Sequence, residues 1–355
     1  MKKINKLSEL LNGKVSERPV KKPILIAEVG NSHEGSLGLA HSFIDAIKSA
    51  GADAVKFQTH IASAESTVDE KFRVAFSTQD KTRFNYWKRM EFSEEQWAEL
   101  KEHADDVGLE FLSTPFSVEA ANLLYRIGVD VWKVGSGELA SSDLMATLVA
   151  FKQPIILSTG MSDWNEINAL YKFISENGSP LAILQCTTMY PTPIEKVGLN
   201  VINEIKNSFD TFTGLSDHSG SPVPAIAAAA RGCDIIELHV TFDKRMFGPD
   251  QTSSLNFEEF AFVARAVNEI SAMDINPVNK DKQAKELLDL KRTFGKSVAL
   301  KSSCSKGTIL TEELLTLKKP GGGINPDEAK KLLGLKLNKN VDANRLLSWT
   351  DVNEA

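Results

Sequence analysis

Two lysines, two histidines and several serines stand at the ends of short apolar runs in this 355-residue chain. Lys56 and Lys133 supply point charges, and Ser136, Ser158 and Ser216, with glycines nearby, supply donors at loops and helix N-termini. Together these make an anion site for which phosphate is the natural guest. The competing reading is that each lysine pairs with a neighbouring carboxylate such as Glu28 or Glu138. His218 and His239 end consecutive runs, the relation a mononuclear divalent metal site needs. An ion there would polarise a carbonyl oxygen or activate water, with Glu28 or Asp250 completing the shell or acting as base. Each histidine could instead only hydrogen-bond. His33, His41, His60 and His103 lack such a pairing, although His33 lies in the first loop. Apolar-flanked Cys186 reads as a core thiol rather than a nucleophile.

The elements that must position these groups repeat. A β-branched apolar run ending in polar residues is followed by a helix-length amphipathic stretch, the βα pattern. The runs are Ile24 to Gly30, Ala54 to His60, Leu109 to Pro115, Asp130 to Gly137, Pro154 to Gly160, Leu181 to Thr187, Thr211 to His218 and Asp234 to Thr241. Between them, Ser36 to Ala50 places Leu37, Ala40, Phe43, Ile44 and Ile47 on one face, and Ser93 with Gln96 has capping-box spacing. Eight such units predict an α/β fold of the (β/α)8 TIM-barrel type, whose reactive side chains gather at the C-terminal strand ends. A doubly wound open sheet is the rival, but no Gly-x-Gly-x-x-Gly follows the first run.

The expected organisation is an N-terminal extension over 1–22 with a short helix near Leu7 to Leu11, a barrel over 23–273, a polar linker over 274–296 and a small β-rich module over 297–355. Such a module is marginal alone and should pack on the barrel or on another subunit.

Composition narrows the partners. The chain is 42% hydrophobic and 25% charged, an ordinary globular balance. It carries a net −6, with ten basic and seven acidic residues from Lys296 onward, so an acidic body precedes a basic tail. No Lys/Arg-dense patch points to nucleic acid or an anionic membrane, so small molecules are the expected partners. Three cysteines without a Cys-x-x-Cys pair suggest reduced thiols in a cytoplasmic protein. No 18-residue apolar run or signal-type h-region is present.

The chain strongly resembles the sialic acid (nonulosonic acid) synthase family. The likeness is carried by Ala27-Glu28-Val29-Gly30 with His33-Glu34-Gly35, by Lys56-Phe57-Gln58-Thr59, Ser113-Thr114-Pro115-Phe116 and Trp132-Lys133-Val134-Gly135-Ser136-Gly137-Glu138. It continues through Ser158-Thr159-Gly160-Met161, Tyr190-Pro191-Thr192-Pro193, Gly214-Leu215-Ser216-Asp217-His218-Ser219, Glu237 with His239, and Gly248-Pro249-Asp250. The tail, with Lys306-Gly307, Leu317-Lys318-Lys319-Pro320-Gly321 and Leu333-Gly334, looks like that family's antifreeze-like (SAF) module.

The resemblance implies condensation of phosphoenolpyruvate with the open-chain aldehyde of an N-acylated mannosamine-type sugar, releasing phosphate and leaving a nine-carbon 3-deoxy-2-keto acid. By this likeness Lys56, Lys133, Thr114, Ser136, Ser158 and Ser216 hold phosphoenolpyruvate, and His218 and His239 bind a divalent metal. Imidazole ligands favour Mn2+ over Mg2+. Glu28 steers or deprotonates water, and Gln58, Glu138, Tyr190 and Asp250 contact the sugar. It further implies a domain-swapped homodimer in which the C-terminal module sets an arginine against the partner's sugar. Lys319 stands in that arginine's place, and the two are not interchangeable at a forked hydrogen bond. Ser32 stands where an Asn usually precedes His33, and Gln185 where some members carry His. The acceptor stays open among sugars leading to N-acetylneuraminate, a legionaminate or a pseudaminate. Two other readings compete: a Schiff-base aldolase or lyase with Lys133 as the covalent residue, and a catalytically retired, sugar-binding barrel.

Overall fold

In the computed structural model, residues 7–15, 22–72 and 76–353 are described. The chain divides into two compact units that meet between Ile275 and Asn276. In the first, eight parallel strands follow one another in order: β1 (Ile24–Gly30), β2 (Ala54–Thr59), β3 (Glu110–Pro115), β4 (Trp132–Val134), β5 (Ile155–Ser158), β6 (Leu181–Cys186), β7 (Phe212–Asp217) and β8 (Ile235–Thr241). β8 pairs back onto β1, closing the expected barrel. Strand β4 is shorter than its apolar run because the extended backbone gives way to a turn at Gly135-Ser136-Gly137.

The connecting helices begin and end where local chemistry dictates. Ser36 caps α2 (Leu37–Ala50) by accepting from the Leu39 N–H, and Gly51, at φ +88°, takes the left-handed position that ends it. Ser93 and Gln96 form both halves of a capping box on α5 (Glu94–Val107). The apolar faces of these and the other outer helices bury one side of each strand, with Phe43, Ile47, Trp97, Leu148 and Val263 in that layer.

The other side of each strand faces the barrel axis, and the period of two along a strand sorts it by height. Ile24 and Ile26 lead to Glu28, Ala54 to Lys56 and Gln58, Leu112 to Thr114, Ile156 to Ser158, and Ile235 to Glu237 and His239. Apolar residues thus fill the N-terminal half, and polar ones crowd the C-terminal mouth. Gly214 on β7 has room for no side chain, since a Cβ there would lie 2.0 Å from the Ile235 carbonyl oxygen.

The short α1 (Leu7–Leu11) supplies Leu7, Leu10 and Leu11 to the same axial cluster as Ile24, Ile26, Ala54 and Leu112, so it plugs the N-terminal end. Its free Leu7 and Ser8 N–H groups are taken by the Glu110 carboxylate. Leu11 is fully packed, and Leu11→Ala should cost ~2–4 kcal/mol in urea unfolding through lost burial and the cavity left behind.

The first unit ends with α11 (Phe257–Ile275). The segment expected to be a polar linker is helical over α12 (Lys280–Glu286) and α13 (Leu288–Phe294). The remainder of the second unit is built on two antiparallel pairs, β10 (Ser297–Leu300) with β11 (Leu315–Lys318), and β12 (Lys336–Leu337) with β13 (Val352–Asn353). Its own core includes Val298, Leu300, Leu310, Leu332, Leu337 and Leu347. Among the described residues no helix is long and apolar enough to cross a membrane.

Candidate active site

The C-terminal mouth of the barrel opens into a cavity of about 470 Å³. Strand register brings its charges together: Glu28 lies between Lys56 on β2 and His239 on β8, and Ser216 is opposite Glu237. Lys56 Nζ sits 2.8 Å from Glu28 Oε2 and 3.8 Å from Glu237 Oε1, and donates to Thr114 Oγ1 at 3.1 Å. Lys133 Nζ donates to Ser158 Oγ at 2.8 Å and lies 3.7 Å from Glu237 Oε1. Ser216 donates to the same Glu237 oxygen at 3.1 Å. Lys56 therefore does pair with Glu28, one of the carboxylates weighed against an anion site; Lys133 pairs with neither Glu28 nor Glu138 but faces Glu237.

All four charged groups are almost wholly buried, so their protonation depends on one another. Burial alone would raise the Glu237 carboxyl, but the Lys133 and then the Lys56 ammonium hold it below the usual carboxylate range. Burial would lower Lys56, yet Glu237 and Glu28 outweigh it and the amine is raised. At Lys133 burial prevails over the attraction of Glu237, and the amine is lowered. Glu237 serves both lysines. Its position two residues before His239 on one strand puts both on the same inward face, a period-two signal that was available in the sequence.

His218 and His239 come together as expected, ring centroids 5.1 Å apart, with the Tyr190 ring 4.3 Å from His218. Burial and then the neighbouring His239 depress His218 to about 3, so its imidazole is neutral and free to ligate. His239 Nδ1 is buried without a hydrogen-bond partner among the described residues. These two nitrogens suit a divalent ion, but no group of three His, Cys, Asp or Glu side chains among the described residues is arranged to hold one. Water or substrate oxygens would fill the other positions.

The remaining expected residues line the cavity too: Ser136, whose hydroxyl is 2.8 Å from that of Thr188, with Gln58, Glu138 and Asp250. Glu138 is raised to about 7, first by burial and then by Glu65. The sequence reading missed Thr188, Asn31, His60, Glu65, Arg83, Trp87 and Phe116, which also line the wall. Several of these lie on or beside α3 (Ala62–Glu65) and α4 (Arg83–Met90), in the long connection after β2, where no strand-end rule applies.

His33 does not belong to the site. It is buried against Phe92 and Phe57, accepts from the Gly35 N–H and is pushed down to about 3 by burial, then by His60. Cys186 lines the cavity, but burial pushes its thiol up to about 11, in keeping with an inert thiol. Ser32 accepts from Gln251, and Gln185 donates to the Val197 carbonyl. Lys319 belongs to the second unit, its ammonium 5.6 Å from the centroid of the Phe294 ring.

A barrel whose mouth carries this lysine, carboxylate and histidine set invites comparison with known proteins. The profile of the NeuB family matches residues 43–278, and that of the SAF domain matches residues 295–353. The chain belongs to the NeuB family. It is 32% identical to the N,N'-diacetyllegionaminic acid synthase of Campylobacter jejuni over 92% of this chain and 99% of that one. It is 31% identical to the N-acetylneuraminate-9-phosphate synthase of Homo sapiens, over 88% of each. Among solved structures, the N-acetylneuraminic acid (sialic acid) synthetase of Leptospira borgpetersenii aligns with a TM-score of 0.68 and 28% identity, covering 78% of this chain and 93% of that one. These relatives are named as synthases of legionaminic, N-acetylneuraminic and sialic acids, which agrees with the family expected from the motifs, as the SAF match agrees with the expected C-terminal module.

Proposed function

We propose that the protein condenses phosphoenolpyruvate with an N-acylated mannosamine-type aldehyde to give phosphate and a nine-carbon 2-keto-3-deoxy acid. The observation that carries this reading is the Lys56, Lys133 and hydroxyl cluster lying beside the His218–His239 pair in one cavity. Phosphate and carboxylate oxygens would take hydrogen bonds from Lys56, Thr114, Lys133, Ser136, Ser158 and Ser216. The sugar would lie toward Gln58, Glu138, Tyr190 and Asp250, where carboxylates and amides can take up its hydroxyl and amide protons.

Carbon 3 of phosphoenolpyruvate forms a bond to the aldehyde carbon, whose oxygen gains a proton. Water adds at carbon 2 and gives up one proton; the bond from carbon 2 to its ester oxygen then breaks, phosphate leaves with the electron pair, and the carbon 2 hydroxyl loses its remaining proton as the ketone forms. Glu28, held between Lys56 and Gln58, would accept the proton of that water. His218 and His239 would hold a divalent ion, Mn2+ in preference to Mg2+, which when bound supplies Lewis-acid polarisation of the aldehyde oxygen. As in the resemblance, we place Lys319 against the sugar of the partner subunit in a domain-swapped homodimer.

Phosphate release from phosphoenolpyruvate tests the reading, with N-acetylmannosamine and 2,4-diacetamido-2,4,6-trideoxyhexoses as acceptors. Release that requires one of these sugars and Mn2+ is the expected result; the sugar that works separates an N-acetylneuraminate synthase from a legionaminate or pseudaminate synthase. No release with any acceptor overturns it. The lowered Lys133 amine favours one rival, a Schiff-base lyase. Borohydride with pyruvate would then leave a mass adduct on Lys133, and none is expected.

A further inference from the structure

His60, set aside in the sequence for want of a pairing, is the most constrained histidine of the cavity wall. Its ring lies between Trp87 and Phe116, with centroids 4.1 and 4.5 Å away and planes tilted by 18° and 17°. Nδ1 is 2.6 Å from Glu65 Oε1, and Nε2 is 3.3 Å from Gln58 Oε1. The other Glu65 oxygen accepts the Ile61 N–H at 3.3 Å. Gln58 Oε1 also accepts from Asn31 at 3.3 Å, while Gln58 Nε2 donates to Glu28 Oε1 at 2.9 Å. Glu28 Oε2 faces the Lys56 ammonium.

With Glu28 and Glu65 both present as carboxylates, donor and acceptor roles along this chain admit one assignment. The Glu28 carboxylate only accepts, so Gln58 must turn its NH2 toward it and its carbonyl oxygen toward His60. That oxygen accepts as well, so His60 Nε2 must carry a proton. The Glu65 carboxylate, whose other oxygen accepts from Ile61, only accepts too, and so takes the second proton's hydrogen bond from Nδ1. A doubly protonated ring between two aromatic faces also gains cation–π attraction.

We infer that His60 is a positioning residue: an imidazolium clamped by Glu65 and stacked between Trp87 and Phe116, it orients the Gln58 amide and so holds Glu28 as an anion aimed into the cavity. The titratable and charged groups around it are Glu65 itself, Glu138 beside Glu65, Arg83, whose guanidinium lies 4.9 Å from the Trp87 centroid, Glu70, which accepts from Trp87 Nε1, and the neutral, buried His33. Remove the imidazolium and the Gln58 carbonyl oxygen keeps only the Asn31 donor at 3.3 Å, so the amide is held less firmly with its NH2 toward Glu28. The catalytic part of this inference rests on the proposed role of Glu28; the protonation and orientation do not.

The test has two arms. In the full-length protein labelled with 15N-histidine, the His60 ring, identified by its loss in His60→Gln, should show protons on both nitrogens at pH 7.5. A ring with one proton overturns the inference outright. In phosphate-release kinetics, His60→Gln and Glu65→Gln should each lower kcat by ~10–100-fold, the range for residues that orient a reacting group, with KM for phosphoenolpyruvate changed less than about threefold. In a Gln58→Ala background the His60 substitution should cost nothing more. Additive losses, or unchanged kcat in both single variants, overturn the positioning role. Should His60→Gln not fold, Glu65→Gln carries both arms, since it should remove one ring proton. If the unmodified protein turns over no acceptor, the proposed reaction fails, and the labelled spectrum still decides the clamp.

Discussion

Alanine in place of His218 or His239 is expected to lower kcat for phosphate release at least ~10³-fold, about 4 kcal/mol of transition-state stabilisation. The reason lies in what the two rings offer. They meet at 5.1 Å between centroids, His218 is kept neutral by burial, and His239 keeps a buried nitrogen without a partner. Neither ring is needed to neutralise the lysine and carboxylate cluster, so each variant should fold with an unaltered circular dichroism spectrum. The same loss should follow chelation of the unmodified protein and should be reversed by Mn2+. Because two nitrogens are a weak set alone, one alanine should also raise the Mn2+ concentration needed for half-maximal activity beyond the range tested. Full turnover in the presence of chelator would remove the metal from the reaction.

Lys133→Met should produce two separable effects. The first is on stability. Glu237 loses one of the two ammoniums that keep it ionised and is left with Lys56 at 3.8 Å and the Ser216 hydroxyl. A buried carboxylate deprived of a partner costs ~3–5 kcal/mol, measurable by urea unfolding. The second is on binding. With Glu28 and Glu237 both retained, the cavity floor changes from balanced to net negative, so KM for phosphoenolpyruvate should rise at least ~100-fold. A second substitution, Glu237→Gln, should recover most of the stability, because the orphaned charge is gone, and none of the activity. If stability and activity return together, Lys133 acts only as a partner to Glu237.

The readings that survived contact with the structure were those carried by local pattern. The eight strands, the Ser36 and Ser93 caps and the polar strand ends follow from periodicity and short-range hydrogen bonding, which need no knowledge of distant residues. Over 280–294, α12 is almost wholly polar and carried no apolar face, whereas Leu287, Leu290 and Phe294 at the start and within α13 have the helical i, i+3, i+7 spacing that a reading of the segment as a linker passed over. At the site, Lys56 illustrates both readings at once: it stands in the cavity with the expected hydroxyl neighbours, and it is also paired with Glu28.

The sequence by itself determined the barrel and the height at which its polar residues sit, because alternation along a strand is a property of consecutive residues. It also determined that Lys56, Lys133, His218 and His239 would share one mouth, since each lies within a strand of one closed sheet or directly after one. Only the tertiary structure decided which charges meet. Glu237 bridges two lysines from other strands, and His60 is gripped by Glu65, Trp87 and Phe116 from three separate segments. Those pairings depend on side-chain direction and on distances across the barrel, and a few ångströms there separate a paired ion from an anion-binding one.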